Sequence, residues 1–404
     1  MQSSQSLENA AVLACLNVRT PTDSLRTLLG PTLNWEQIAN GSAQLGIAPF
    51  VYSQLQHRQL QDSIPPSSWK FLEETFVKSH AQNVWKFVRV REVLQKCHER
   101  DIPVIVLKGA ALAQLVYPRV GCRPMGDIDI LLKRSDLTKV ETLLNQMHFE
   151  PFSYQHTRKW YEDHHHHLIP YRSPDKSLVI ELHHHIIPLD DPVQFSIQGL
   201  WDRAVPFEFE NIPCFTLAPE DLLIHLCHHV AAPNYFLGQL RSLCDIAETI
   251  TYYEGHIDWE QLYERIVAFE VQCHAYYALW LANDCVGAAI PQDVLNRLKD
   301  SSNVTFLSDR AFKYLIRRAV VISNPGQHLW YLWILRDLCF DWLSQQKRWR
   351  ILKNIWRRLY TRMVRYAEQF EERTNPNAKS SRVCMFACYL THLIKKGFSR
   401  EAKA

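Results

Sequence analysis

Residues 104–132, VIVLKGAALAQLVYPRVGCRPMGDIDILL, join a β-branched run, a turn at Gly109 and a second apolar run that carries two aspartates. VIVLKG predicts a strand, AALAQLVY a helix and MGDIDILLK a second strand. Alternate side chains on a strand share a face, so Asp127 and Asp129 are expected to project together. A divalent cation is the usual way to relieve the repulsion between two such carboxylates. An isolated D-x-D is also common as a solvated pair at a strand end.

The residues around this pair indicate a polyphosphate ligand and a metal. Lys108 and Gly109 open a helix, where glycine lets backbone amides approach an anion and the helix N-terminus favours negative charge. Arg123 lies in a loop from which it could bring a second cation to the same ligand. A third predicted strand, SLVIELHHHI, adds Glu181, which shares a strand face with His183. Carboxylate oxygens suit Mg²⁺, and three of them on adjacent strands could hold two ions.

Outward from this unit, the chain has the pattern of helices on both sides. Residues 1–100 predict short helices followed by a long one from about Ser68 to Arg100, and residues 101–215 predict the small mixed α/β unit. The helical repeat returns in residues 216–404. The expected fold class is therefore α+β, with a small mixed-sheet catalytic domain framed by N-terminal and C-terminal helical regions.

These motifs together resemble a known family. LKGAAL, GDIDILL and IELHHHI, followed by LAPEDLLIHLCHHV, are similar to the uncharacterised bacterial nucleotidyltransferase family of the DNA polymerase β-like nucleotidyltransferase superfamily. The resemblance covers most of the chain, including its helical flanks. It implies that Asp127, Asp129 and Glu181 are catalytic and bind Mg²⁺ (or Mn²⁺), with Glu181 helping to deprotonate the acceptor. It also implies that Gly109 receives the triphosphate of the nucleotide.

One residue departs from the superfamily pattern. The turn there is usually Gly-Ser, with the serine hydroxyl on a phosphate, whereas Ala110 follows the glycine here. The narrower family often has Lys-Gly at this place, so Lys108 is expected to take over the anion contact. The positive charge of Arg123 and its place in the loop before the second strand assign it to the triphosphate as well. The candidate nucleotide-binding residues are Lys108, Gly109, Ala110, Arg123 and His183.

The expected activity is metal-dependent transfer of a nucleoside monophosphate from a nucleoside triphosphate, ATP by default, to an acceptor hydroxyl or phosphate with release of pyrophosphate. A small-molecule acceptor is favoured over a nucleic acid. A toxin-like enzyme that modifies tRNA or a protein stays open, and residues 347–366, with eight basic residues and no acid, would support it. The preferred interpretation of that stretch is a solvated helix face. A non-catalytic nucleotide-binding protein is the other alternative, favoured by the missing hydroxyl.

Two histidine runs, at 164–167 and 183–185, suggest zinc, since imidazole is a common zinc ligand. Adjacent residues on a strand point to opposite faces, so at most alternate members of a run are expected to share a site. We expect the runs to be structural or to support the acidic site, with a zinc hydrolase as the remaining alternative. His183 is the exception, because it shares the face of Glu181 and could orient that carboxylate.

The helical region that begins at LAPEDLLIHLCHHV carries further polar residues. Glu220 and Asp221 lie in the predicted first turn, where acids suit the helix dipole, and are expected to serve the fold. His225, His228 and His229 are expected to pack rather than to line the acceptor cleft. The sequence does not decide whether Asp245 pairs with a residue of the helical region or lies in the acceptor cleft.

Composition limits the class of protein. The chain has 404 residues, 47% hydrophobic and 22% charged, which is ordinary for a globular protein. A net charge of +3 does not by itself imply a nucleic-acid partner. Eleven cysteines without a C-x-x-C pair favour buried thiols in a reducing compartment. With no apolar window long enough for a bilayer and no signal-peptide pattern at the N-terminus, a cytoplasmic location is expected.

Overall fold

The computed structural model describes residues 2–30, 32–152, 157–189, 193, 195–231, 236–302 and 306–321. The predicted basic helix at 347–366 lies outside these residues. The α-helices of the described part are α1 (Gln2–Leu16), α2 (Thr22–Leu28), α3 (Trp35–Gln44), α4 (Ala48–His57), α5 (Pro66–His98), α6 (Lys108–Leu115), α7 (Leu137–Gln146), α8 (Arg158–His164), α9 (Ile197–Arg203), α10 (Pro219–Ala231), α11 (Leu240–Tyr252), α12 (Trp259–Ala268), α13 (Gln272–Val286), α14 (Gln292–Ser301) and α15 (Phe306–Ala319). None of them is long and apolar enough to cross a membrane.

One mixed sheet lies among these helices. Its strands are β1 (Ile105–Val106), β2 (Ile128–Leu131), β3 (Glu150–Pro151), β4 (Tyr171–Arg172), β5 (Val179–His183), β6 (Val205–Phe209) and β7 (Ile212–Thr216). Their order across the sheet is β3-β4-β5-β2-β1-β7-β6. β2 pairs in parallel with β5 and antiparallel with β1, while β1 pairs in parallel with β7. The expected α+β class is confirmed, and the three predicted strands form β1, β2 and β5.

The sheet separates two apolar cores. Strand alternation sends Ile105 and its partner Leu131 into a core shared with helices from both ends of the described chain. Val106 and its partner Ile130 enter a second core, formed with α5, α6 and α7. Asp129 is two residues from Leu131, so its side chain belongs to the face of the first core. The site therefore lies between the sheet and the helical regions.

Helix α5 supports both the sheet and the loop before β2. It begins with Pro66 at its first position, which suits a helix start because proline has no amide hydrogen to leave unpaired there. Its buried stripe contains Leu72, Phe76, Val90 and Leu94 at helical spacing, but it also contains polar side chains in the middle. The long helix predicted from about 68 to 100 is confirmed, with bounds two residues earlier at each end.

Candidate active site

Two of the three predicted metal-binding carboxylates meet on neighbouring parallel strands. Asp129 on β2 is in register with Glu181 on β5, so the two side chains project from the same face. Asp129 is 8% exposed. Ligand atoms of Asp129, Glu181 and His183 all lie within 4.8 Å of one another. Asp127 lies one residue before β2, exposed at the edge of this cluster and outside that 4.8 Å set.

Histidine side chains contact both carboxylates. His183, fully buried at the end of β5, places Nε2 2.9 Å from Oδ1 of Asp129 and 3.4 Å from Oε2 of Glu181. His167 forms a β-bridge with His183 and places its own Nε2 3.3 Å from the same Glu181 oxygen. Oε2 of Glu181 thus lies close to two imidazole nitrogens. The expectation that His183 orients Glu181 agrees with this contact, whereas the contact of His167 has no counterpart in the sequence analysis.

Backbone carbonyls fix the orientation of both rings. The Nδ1 of His167 donates to the carbonyl oxygen of Leu168 at 2.6 Å, and the Nδ1 of His183 lies 3.3 Å from the carbonyl oxygen of His185. A carbonyl oxygen only accepts, so the Nδ1 atom carries the hydrogen and Nε2 is turned toward the carboxylates. Burial, with the neighbouring histidines adding to its effect, lowers the pKa of His167 to about 2, so this ring is neutral near pH 7.

Lys108 lies at the N-terminus of α6, directly beside the acidic cluster. Its Nζ is 3.6 Å from Oδ2 of Asp129. The Lys108 φ of 34° is in the left-handed region, which is uncommon for a residue with a side chain and marks local strain. The backbone also joins the two elements, since the amide of Leu107 donates to the carbonyl of Asp129 at 3.0 Å. The predicted lysine thus lies beside a carboxylate that the sequence assigned to a metal site.

The acids of the cluster have opposite pKa shifts. Burial opposes ionisation of Asp129, but Lys108 and His183 outweigh it and hold its pKa well below the usual range. Desolvation by neighbouring atoms raises the pKa of Asp127, and the negative charge on Asp129 raises it further. Burial also raises the pKa of Glu181, against the hydrogen bond from His183. One carboxylate is therefore firmly ionised while its neighbours hold protons more readily, a pattern typical of functional sites.

Arg123 is tied to the helical region. Its Nε and Nη2 donate to the two carboxylate oxygens of Asp245 on α11, each at 2.8 Å, and the hydroxyl of Tyr117 donates to the same carboxylate at 2.8 Å. Burial would lower the pKa of Arg123, but Asp245 raises it above the ordinary value, so the guanidinium is charged. Asp245, which the sequence left open, is therefore a buried partner of the predicted nucleotide-binding arginine.

Gly109 lies against the remaining nitrogen of Arg123. A Cβ at position 109 would be 2.6 Å from Nη1, closer than real contacts allow, so this close approach requires glycine. Ala110 is 1% exposed and packs in the core below the sheet, which leaves only its backbone amide for a ligand. Lys108, Gly109 and Arg123 therefore lie together beside the acidic cluster, as the sequence grouped them.

Two polar residues of α5 were missed by the sequence analysis. Asn83, fully buried, donates through Nδ2 to the carbonyls of Val120 and Arg123, each at 2.8 Å. Lys86, 8% exposed, donates to the carbonyl of Met125. Burial lowers the pKa of Lys86, and the nearby Asp127 opposes that shift. Asn83 and Lys86 lie three residues apart within the apolar stripe of a long helix. A buried polar side chain at such a position needs a hydrogen-bond partner, and this is the feature of the sequence that could have identified them.

The expected geometry of the histidine run at 164–167 was wrong. His165 and His166 precede the bridge at His167 instead of lying on a strand, and ligand atoms of these three residues all lie within 4.8 Å of one another. Strand alternation therefore does not separate them. The side chain of His164 is outside the described residues. His184, in the second run, places Nδ1 3.3 Å from Nη2 of Arg134.

The polar residues of α10 divide into two groups. Asp221 accepts from Arg203 at 2.7 and 3.0 Å, and Glu220 lies 3.4 Å from Arg265, so both acids serve the fold as expected. His225 is 1% exposed. Its pKa is lowered well below the usual range, first by burial and then by the charge of Lys108, so a neutral ring of α10 packs on the lysine side of the site.

The fold and the site define an α+β protein with an acidic, histidine-rich centre on two parallel strands beside a helix N-terminus. The chain belongs to a family described as uncharacterised nucleotidyltransferase, which matches residues 31–287. The matched range contains the acidic cluster, the helix α6 and the Arg123–Asp245 pair. No curated protein and no solved structure matches the chain. Membership of this family supports a nucleotidyltransferase activity with a nucleotide as substrate.

Proposed function

We propose that the protein is a metal-dependent nucleotidyltransferase that moves a nucleoside monophosphate from a nucleoside triphosphate, ATP by default, to an acceptor hydroxyl or phosphate. The oxygen of the acceptor attacks the α-phosphorus, the bond from that phosphorus to the bridging oxygen breaks, and pyrophosphate leaves. The single observation that carries the proposal is the register of Asp129 with Glu181 beside the N-terminus of α6.

The carboxylates supply the cation site. Asp129, Glu181 and Asp127 provide oxygen ligands of the kind that Mg²⁺ or Mn²⁺ takes alongside substrate phosphates. A bound cation would polarise the phosphate and neutralise charge as pyrophosphate forms. Because its pKa is raised, Glu181 is the residue suited to receive the proton of the acceptor. Asp129, held ionised, is suited to stay a ligand throughout.

The turn after β1 supplies the anion site. The first amides of α6, at Lys108, Gly109 and Ala110, have no partner within the helix, and with the helix dipole they favour a phosphate. Lys108 takes the place of the missing hydroxyl. With a triphosphate bound, its Nζ is expected to exchange Asp129 for a phosphate oxygen. Arg123 contributes charge from a fixed position, because Asp245 holds two of its three nitrogens. His183 holds Asp129 in place beside the nucleotide.

The acceptor is proposed to be a small molecule. The acidic cluster lies on the sheet face that packs against the helical regions, where Lys108 lowers the pKa of His225 on α10 and Arg123 pairs with Asp245 on α11. These neighbours favour an acceptor small enough to fit beside α10 and α11. Positioning and charge neutralisation supply most of the rate in transfers of this type, and this agrees with a site of acids and cations without a covalent nucleophile.

The experiment measures pyrophosphate release with each labelled triphosphate in the presence of a cell extract, and then identifies by mass the molecule that gains a nucleotide. Asp129→Asn and Glu181→Gln remove charge at nearly constant shape and should lower the rate at least about 100-fold, since loss of cation contacts costs several kcal/mol in the transition state. Asp127→Asn should act in the same direction.

Asp202→Asn is the matched control, because this aspartate is exposed on α9 and bonded only to Gln198 among the described residues. Circular dichroism should show native helix content in every variant. Equal pyrophosphate release by the parent, Asp129→Asn and Glu181→Gln, with an acceptor on which the parent is active, would overturn the proposed function.

A further inference from the structure

A cleft of about 770 Å³ opens between the N-terminal helices and α11, and no residue of the acidic cluster lines it. Its walls come from the loop between α1 and α2, from α4, from the loop after α6 and from α11. Sites for small molecules typically occupy about 300–1,000 Å³, so this cleft is large enough for one. The side chains on its walls indicate which kind of molecule it suits.

Three arginines line the cleft, and neutral groups hold two of them in place. Arg19 donates through Nη2 to the carbonyl of Ala288 at 2.8 Å. Arg58 donates through Nη1 to the carbonyl of Thr20 at 3.4 Å and through Nη2 to the carbonyl of Asn17 at 3.1 Å. Burial lowers the pKa of Arg58, and no carboxylate of the described chain offsets this. Both guanidinium groups are therefore positioned without being neutralised.

Arg119, the third arginine, is held by aromatic rings. Its guanidinium lies 4.1 Å from the ring centroid of Phe76 and 5.9 Å from that of Tyr52. A guanidinium stacked in this way keeps the N–H groups at its edge available to an acceptor. Among the residues that the structure describes, none of the three arginines forms an ion pair. The cleft thus carries positive charge that suits an anionic ligand.

Glu248, on α11, is the acid among the residues that line the cleft. Its side chain is buried, with 9% of the residue exposed, and it forms no hydrogen bond or ion pair with any described residue. Burial, with the charge of Asp245 adding to it, raises the pKa of Glu248 to about 7. Buried polar groups normally have hydrogen-bond partners, and a largely protonated carboxyl can both donate to and accept from a hydroxyl.

The rest of the wall favours a ligand rich in hydroxyl groups. Hydroxyl and amide side chains line it, from Thr20, Thr22, Ser53, Gln54, Gln56 and Thr251. No phenylalanine, tyrosine or tryptophan is among the described lining residues, so a nucleobase would find no ring on which to stack. Guanidinium groups match the geometry of a phosphate, to which they can donate two parallel hydrogen bonds.

We propose that this cleft is a binding site for a sugar phosphate, whose phosphate the arginines hold and whose hydroxyls reach Glu248. The site is separate from the acidic cluster, because neither its carboxylates nor Lys108 line the cleft. The inference does not depend on the proposed function, since it concerns other residues and another ligand.

Isothermal titration calorimetry of the full chain with glucose 6-phosphate, without metal or triphosphate, tests the proposal. We expect saturable binding that weakens about 10- to 100-fold in Arg58→Gln and in Arg119→Gln, the size of a lost charge-assisted hydrogen bond. Glu248→Leu should weaken this binding about 2- to 10-fold, as for a neutral hydrogen bond, but should not weaken the binding of inorganic phosphate.

Arg26→Gln is the matched control. Arg26 is exposed on α2, next to the loop that lines the cleft, but is not part of the lining, so its variant should bind as the parent does. Phenylglyoxal modification read by peptide mass spectrometry gives a second measurement, on the unmutated protein. Glucose 6-phosphate should protect Arg58 and Arg119 from modification and leave Arg26 unprotected.

Lys108→Met separates this site from the nucleotide site, where a phosphate could also bind. Binding that persists in Lys108→Met and is lost in Arg58→Gln supports the proposal. The proposal fails if glucose 6-phosphate does not bind, if it protects neither Arg58 nor Arg119, or if Lys108→Met alone abolishes its binding. Because no triphosphate is present, these results are independent of pyrophosphate release, by which the proposed function is judged.

Discussion

The buried ion pair between Arg123 and Asp245 makes a strong prediction about stability. The two side chains are 10% and 2% exposed, and two parallel hydrogen bonds of 2.8 Å join them. Asp245→Asn removes the charge, leaves the guanidinium buried without its counter-charge, and weakens the bond from Tyr117. Breaking a buried pair by removing one partner costs about 3–5 kcal/mol. Because asparagine keeps one acceptor oxygen, we expect a loss of about 3 kcal/mol in the free energy of unfolding.

Urea denaturation followed by circular dichroism measures this loss, compared at equal slope with the parent. The control is Asp284→Asn. Asp284 pairs with Arg317 at 3.1 Å on the surface, where the side chains are 28% and 57% exposed, so its loss should cost less than about 1 kcal/mol. The double variant Arg123→Met with Asp245→Leu removes both charges and should recover most of the stability without recovering nucleotide binding.

Similar, small losses of stability in Asp245→Asn and Asp284→Asn would contradict the cost assigned to the buried charge. A double variant no more stable than Asp245→Asn alone would contradict it too, because the loss would then come from shape rather than from an uncompensated charge. Recovery of nucleotide affinity in the double variant would remove Arg123 from the binding site.

Three further predictions follow from the same region. Gly109→Ala should destabilise by about 1–3 kcal/mol, because its Cβ meets a pinned guanidinium at 2.6 Å, whereas Gly126→Ala, with no atom within 4 Å, should change stability by less than about 0.5 kcal/mol. Lys86→Met should lose about 1–3 kcal/mol in urea denaturation, because the carbonyl of Met125 loses its donor in a buried place, and an unchanged midpoint would contradict this. Burial, with the charge of a neighbouring aspartate adding to it, raises the pKa of Glu248 to about 7. The unfolded chain ionises this group near pH 4.5, so folding loses stability as the pH rises from 4.5 to 7. Glu248→Gln should therefore stabilise by about 3 kcal/mol at pH 8 and by under about 1 kcal/mol at pH 5, and a pH-independent difference would contradict the shift.

The sequence was sufficient for the strands and the turn that carry Asp129, Glu181 and Lys108, because that information is local, whereas Asp127, expected on the strand, lies one residue before β2. The D-x-D at 127 and 129, the Lys-Gly turn and the single acid of the later strand each lie within a short pattern that predicts one element. The strands β3, β4, β6 and β7 were missed for the opposite reason. Two of them are two residues long, and β6 and β7 form a hairpin whose alternation, clear in the register from Val205 to Thr216, is interrupted by proline in each strand.

Tertiary contacts decided what the sequence left open. Asp245 is 122 residues from Arg123, and no local pattern selects that arginine from the others in the chain. Asn83 and Lys86 donate to backbone carbonyls of the loop before β2, about 40 residues further along the chain. From the sequence, only the presence of polar side chains in the apolar stripe of α5 can be recognised. A rule that treats such groups as evidence of a buried partner would have pointed to them, although not to the partner.

The histidines show where reasoning from strand periodicity fails. It was applied to a run that is not a strand, since only His167 pairs with the sheet, and it therefore separated side chains that the turn brings together. The same periodicity was right for His183, which lies on β5 and shares the face of Glu181. Imidazole and carboxylate thus converge from one strand and one turn, because the turn brings the Nε2 of His167 to 3.3 Å from Oε2 of Glu181, an approach that only the folded chain reveals.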